Sequence, residues 1–164
     1  MKSDLMEQCR SCILGHALVD AVGVPVEFMA RKELDADPVT DMRAYGTHNQ
    51  PIGTWSDDTS MTLAALDSLT GSLDYDDIMD KFCAWKEHAA YTAGGCVFDM
   101  GISTHEALCR FRDGEPPLQC GGAGSYDNGN GPLCESPRRL SSPGAWPGPG
   151  KKTGPWRWFT MFLL

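Results

Sequence analysis

The chain has 164 residues, 41% of them apolar and 22% charged, with a mean hydropathy of −0.30. Those values exclude a disordered polymer and set the expectation of one soluble globular domain. The net charge of −8 argues against a protein that coats nucleic acid or an anionic membrane.

Asp4 to Ala21 is predicted as a helix, because Leu5, Cys9, Cys12, Ile13, His16, Ala17 and Asp20 recur at three- and four-residue steps. Gly23 and Pro25 end it, since glycine suits the turn after a helix and proline cannot continue one. Val24 to Phe28 leads into a charged loop, Arg31 to Asp41. Met42 to Trp55 carries Gly46, Asn49, Pro51 and Gly53 and is expected to be an irregular connection. A second helix is predicted from about Asp57 to Thr70, stopped at Gly71. A third follows Asp74, with Ile78, Phe82, Trp85 and Ala89 forming an apolar stripe. After Gly94-Gly95 comes a fourth, about Gly101 to Arg112, with Thr104, Ala107, Leu108 and Phe111 on one face. Pro116-Pro117 then opens a glycine-rich loop, Gly121 to Gly131. No alternating strand pattern is evident, so the expected class is all-α, short helices joined by loops.

The composition changes near Leu133. Up to that residue nine basic side chains face twenty-one acidic ones; from Cys134 five basic face one acidic. The last 31 residues also hold five of the eleven prolines and three of the five tryptophans. The expected division is therefore 1–133 as the domain and 134–164 as a basic Pro/Gly/Trp-rich tail without a fold. Codons for Cys134-Glu135-Ser136 can be shifted by one nucleotide to read Met-Arg-Ile, which makes out-of-frame translation of the tail a further expectation.

Seven cysteines and no signal peptide at the N-terminus point to reduced thiols in a cytoplasmic compartment. Cys9 and Cys12 form a lone CxxC inside a helical pattern, which favours buried structural thiols over a redox or zinc motif. Trp156 to Leu164 is apolar but shorter than the ~20 residues that span a bilayer, so no membrane partner is expected.

Four segments are candidates for chemistry. Ser56-Asp57-Asp58 offers hard oxygen ligands suited to Mg²⁺, and the same residues suit a helix start, with Ser56 as N-cap and two carboxylates at the positive end. Asp20 lies where the helix dipole disfavours an acid, which points to an outside cation or hydrogen-bond donor. Glu27 interrupts the apolar run Val24 to Phe28; burial there would raise its pKa and suit it to acid or base work, whereas an exposed loop position would not. Asp99 in Phe98-Asp99-Met100-Gly101 is either a helix cap or a site residue. In the fourth segment, Gly121 to Gly131, glycines permit close approach of a phosphate-bearing ligand, or form a polar loop and nothing more.

Together these segments resemble the N-terminal half of the ADP-ribosylglycohydrolase family. The carriers are the GDALGxPxE-like run at Val19 to Glu27, the W-[ST]-D-D-T run at Trp55 to Thr59, the FD-x-G run at Phe98 to Gly101, and the Asn-Gly-Asn-Gly loop, all in family order. The resemblance implies an all-helical orthogonal bundle around two divalent ions, Mg²⁺ or Mn²⁺. It assigns Ser56, Asp57 and Asp58 as metal ligands, and Glu27 and Asp99 as catalytic residues at the substrate and on the metal side of the cleft. It also assigns Gly124, Ser125, Tyr126, Asn128, Gly129, Asn130 and Gly131 to substrate binding. The implied reaction is metal-assisted hydrolysis of the glycosidic bond between ADP-ribose and a modified protein or small molecule, through an oxocarbenium-like state. Two departures stand out. Val19 replaces the glycine expected before Asp20, and the family's second metal run, D-x-D-T, has no counterpart, since no aspartate follows Asp127. The chain is accordingly expected to be truncated and weakly active or inactive. The alternative is a non-catalytic partial domain that binds metal or nucleotide at most.

Overall fold

A computed structural model describes residues 2–122. Five α-helices follow in order: α1 (Lys2–Gly23), α2 (Arg31–Ala36), α3 (Asp57–Ser68), α4 (Tyr75–His88) and α5 (Ile102–Arg112). Among the described residues the only β pairing is an isolated bridge between Tyr45 and Gln50. The all-α expectation holds. The loop residues expected to bind substrate, Gly124 to Gly131, and the tail from Cys134 lie outside the described residues.

The described chain divides into two compact units. The first comprises residues up to Ala64 together with Trp85–Asp99. Its buried positions include Ala21, Val24, Met61, Ala64 and Trp85, with the polar Thr54, Ser56, Thr59 and Ser60. Among the described residues the second comprises Ala65–Ala84 and the stretch from Met100 to Gly122. There Met79, Phe82, Cys83, Ala107, Leu108 and Cys120 are buried, and ion pairs Lys81–Asp67 (3.0 Å) and Arg112–Asp80 (3.1 Å) lie at its surface.

Helix α1 runs two residues beyond the predicted span at each end. Its apolar side chains do not form a single stripe: Ala21 is buried, yet Leu5, Met6, Leu14, Leu18 and Val19 are each more than half exposed. The segment Asp4–Val26 is long and apolar enough by length and composition to cross a membrane. A helix that is apolar on several faces is characteristic of a large protein core or a membrane span. The expectation of buried Cys9 and Cys12 is corrected: both thiols are exposed, because they lie on the outer side of α1.

Helix α2 falls inside the segment predicted as a charged loop. It has no apolar stripe to reveal it. Its start is fixed by reciprocal local bonds, the Ala30 N–H donating to Glu33 Oε2 (2.9 Å) and the Glu33 N–H to the Ala30 carbonyl (2.9 Å). Arg43 then clamps the following turn through Asp37 Oδ2 (2.7 Å) and the carbonyls of Asp37 and Pro38. Helices α3 and α5 match the predicted spans to within two residues at each end, and α4 begins directly after Asp74 as predicted.

Candidate functional site

The site lies wholly in the first unit. Its foundation is the meeting of the last turn of α1 with the first turn of α3. A helix start leaves four backbone N–H groups without intrahelical partners. Asp20 supplies acceptors for two of these amides from another helix: Ser56 N–H reaches both carboxylate oxygens (3.1 and 3.0 Å), and Thr59 N–H reaches Oδ2 (3.1 Å). The Thr59 hydroxyl donates to the same oxygen at 2.5 Å. Ser56 Oγ accepts the Asp58 N–H (3.3 Å) in the manner of an N-cap, and Ser60 Oγ–H donates back to the Ser56 carbonyl (2.8 Å). The acid that α1's own dipole disfavours is therefore compensated by the positive end of α3. The partners of Asp20 are hydrogen-bond donors.

This bracing fixes the backbone from which Asp57 and Asp58 project. Asp58 keeps an exposed edge, while its carboxyl is partly desolvated. That desolvation, with the neighbouring charges of Asp20 and Asp99, raises its pKa above the ordinary carboxylate value, against a smaller opposing effect of His16. A carboxylate pressed by like charges and lacking a full hydration shell is a natural partner for a cation. Ser56, Asp57 and Asp58 thus fit a hard divalent ion by donor chemistry.

A second group of side chains is brought together by turns. Val24–Val26 forms a 3-10 turn, started by Pro25 and followed by Glu27. The loop Tyr45 to Gln50 packs on it closely enough that a Cβ on Gly46 would strike the Pro25 carbonyl, and Gly46 adopts φ +56°. Only glycine satisfies both conditions without strain. Thr47 Oγ1–H donates to the Glu27 carbonyl at 2.7 Å, which locks the loop in register. His48 is thereby delivered to Glu27, with Nε2 2.7 Å from Oε2, and lies 3.8 Å from Asp99 Oδ2. Phe28 and Phe98 flank the imidazole, with ring centroids 5.9 and 5.3 Å away. Phe28 and Asp99 both adopt positive φ (61° and 54°), a conformation that non-glycine residues rarely take and that persists only when surrounding structure holds it.

Partial burial pushes the Glu27 carboxyl pKa up, the contact with Asp99 adds to the rise, and His48 opposes it. Glu27 is half-exposed, with 38% of its side chain accessible. Asp99 lies two residues before Gly101, which occupies the N-cap of α5, so Asp99 is not that helix's cap. Donor atoms of Glu27, His48 and Asp99 lie within 4.8 Å of one another, a second arrangement able to hold a metal.

His48 is absent from the sequence-based site because no His-x-His or HExxH spacing marks it. The available signal was indirect: a histidine held between Gly46, Asn49, Pro51 and Gly53, in a segment rich enough in breakers to turn back on itself.

The sequence profile of the ADP-ribosylglycohydrolase family matches residues 1–149. The chain belongs to the ADP-ribosylglycohydrolase family. The match continues past the composition change at Leu133. Two curated relatives are named ADP-ribosylarginine hydrolase Tri1. The one from Pseudomonas putida (strain GB-1) is 34% identical over 133 residues, which cover 78% of this chain and 34% of the relative. The one from Serratia proteamaculans (strain 568) is 33% identical over 109 residues, covering 65% of this chain and 29% of the relative. This ADP-ribosylglycohydrolase chain spans about a third of the length of these relatives.

Proposed function

We propose that this chain carries part of the machinery of a metal-dependent ADP-ribosylarginine hydrolase, which cleaves the N-glycosidic bond between ADP-ribose and an arginine side chain of a modified protein. The observation that carries the reading is the Asp20-braced start of α3, which presents Ser56, Asp57 and Asp58 together, with the Asp58 carboxyl pushed above its ordinary pKa by desolvation and the nearby Asp20 charge. The names of the two relatives supply the arginine linkage. The same chemistry applies to ADP-ribosyl small molecules.

In this reading Ser56, Asp57 and Asp58 hold Mg²⁺ or Mn²⁺, which when bound polarises ribose hydroxyls and a water. Glu27, with its raised pKa, manages a proton at the anomeric linkage, and Asp99 lines the cleft beside it. Gly124, Ser125, Tyr126, Asn128, Gly129, Asn130 and Gly131 are the proposed contacts to ADP-ribose. A cytoplasmic setting is proposed from the cysteine content.

A second reading has its own support: Ser56, Asp57 and Asp58 also form the capped start of α3, with Ser56 Oγ accepting the Asp58 N–H, a structural role that needs no catalysis. In that case the protein binds metal or nucleotide without turning substrate over. Mass-spectrometric detection of ADP-ribose released from an ADP-ribosylarginine peptide separates the two. The hydrolase reading predicts slow release with Mg²⁺ that EDTA abolishes. Release no faster than in a protein-free control, with either Mg²⁺ or Mn²⁺, would leave the binding-only reading standing.

A further inference from the structure

We propose that Glu27, His48 and Asp99 form a binding site for a first-row transition-metal dication, distinct in donor chemistry from the oxygen-only Ser56–Asp57–Asp58 set. Three different segments contribute one donor each: Glu27 from the end of the 3-10 turn, His48 from the loop pinned by Gly46 and Thr47, and Asp99 from the stretch before α5. Two ligands on one ion with bonds of ~2.1 Å are separated by ~3 to 4.2 Å, depending on the angle between them. The observed 3.8 Å between His48 Nε2 and Asp99 Oδ2 falls within that span, and the 2.7 Å between His48 Nε2 and Glu27 Oε2 needs only a small opening.

Two carboxylates facing one imidazole are a ligand set with a preference. Mg²⁺ favours all-oxygen surroundings and keeps its water, whereas Fe²⁺ and Zn²⁺ accept an imidazole nitrogen readily and Mn²⁺ takes one beside carboxylates. Glu27 and Asp99 repel each other in the absence of a cation, and a dication between them removes that repulsion. The side chains are 38%, 13% and 23% exposed for Glu27, His48 and Asp99, so the group is partly sheltered yet open to solvent for entry and for remaining ligands. Phe28 and Phe98 both lie against the imidazole, with ring centroids 5.9 and 5.3 Å away, and its Nε2 faces both carboxylates. Coordination through Nε2 would require the ring proton on Nδ1 and would take the place of the Nε2···Oε2 contact.

The site stands on its own geometry, and with a dication bound Glu27 is its ligand in place of the proton role proposed for the metal-free carboxyl. Its test is electron spin-echo spectroscopy of Mn²⁺ added to the full 164-residue chain, which detects a directly bonded ¹⁴N. Wild type is expected to show nitrogen modulation from one imidazole. His48→Gln should lose that modulation and bind Mn²⁺ at this site at least tenfold more weakly, with its helical circular dichroism retained. Asp57→Asn/Asp58→Asn should keep the modulation, so a failure of the oxygen-only site remains distinguishable from a failure of this one. Bound Mn²⁺ with oxygen ligands alone, modulation that survives in His48→Gln, or no saturable uptake by wild type would each overturn the proposal.

Discussion

Asp20 in the last turn of α1 accepts both the backbone N–H and the hydroxyl of Thr59 in the first turn of α3, 39 positions further along the chain. The same carboxylate takes the Ser56 N–H on both oxygens. One acidic side chain thus fixes the direction in which the Asp57-Asp58 pair leaves the backbone.

Replacing Asp20 by alanine is expected to destabilise the chain by about 2–4 kcal/mol, because charge-assisted hydrogen bonds contribute ~1.5–3 kcal/mol and their donors are left partly buried. Asp20→Asn retains acceptor capacity at one oxygen and should lose less. Urea unfolding followed by circular dichroism measures both. An Asp20→Ala midpoint equal to wild type would show that the α3 start is held by other means.

Gly46→Ala tests the loop that delivers His48. The added methyl meets the Pro25 carbonyl, and φ +56° is unfavourable for alanine. The expected cost is roughly 1–3 kcal/mol. Thermal unfolding checks the stability, and a changed His48 imidazole resonance in NMR checks the displacement.

In the second unit, Thr104 is fully buried and its hydroxyl has no hydrogen-bond partner in the described structure. Thr104→Val keeps the shape and removes the unsatisfied hydroxyl. Stability is expected to rise by about 1 kcal/mol in the same urea measurement.

The thiols give a pH dependence with a definite sign. Burial of Cys120, which donates to the carbonyls of Glu115 and Pro116, pushes its pKa above the ordinary thiol value. The folded chain therefore holds this proton more tightly than the unfolded chain does. Its contribution is fully present below the unfolded-state pKa, near 8.5, and declines as pH rises through that value. Cys120→Ala should flatten the stability loss measured between about pH 8 and 10. At pH 8, Ellman's reagent should modify the exposed Cys9, Cys12 and Cys96 well before the buried Cys83 and Cys120.

Much of the scaffold was legible because periodicity records burial. Thr104, Ala107 and Leu108 are buried on the face that their spacing predicts, and Phe82 and Trp85 of the predicted α4 stripe are buried together with Met79 and Cys83. Periodicity failed at the ends of its range. Helix α2 is six residues long and owes its start to Glu33 and Ala30, a local exchange with no apolar signal. In α1, three- and four-residue recurrence placed Leu5, Cys9 and Cys12 on a common side, but that side is exposed, since an apolar pattern states a preference and not which surface fills it. The candidate site was legible where charge sat against local preference. Asp20, wrong for its own helix end, proved to serve another helix, and Glu27 is the one charge within the apolar run Val24 to Phe28. His48 was not legible, because the turn that brings it to Glu27 depends on Gly46 meeting Pro25, a tertiary contact that spacing along the chain does not encode.

The Asp20-braced start of α3 is proposed to hold Mg²⁺ through Asp57 and Asp58. Thermal unfolding of the full chain with and without Mg²⁺, in wild type and in Asp57→Asn/Asp58→Asn, tests this directly. Ligand at ~100 times its dissociation constant stabilises a fold by about 2.7 kcal/mol, a rise of several degrees for a chain of this size. The predicted result is such a rise in wild type and none in the double variant. An equal Mg²⁺ response in the two proteins, or none in wild type, would contradict the central claim.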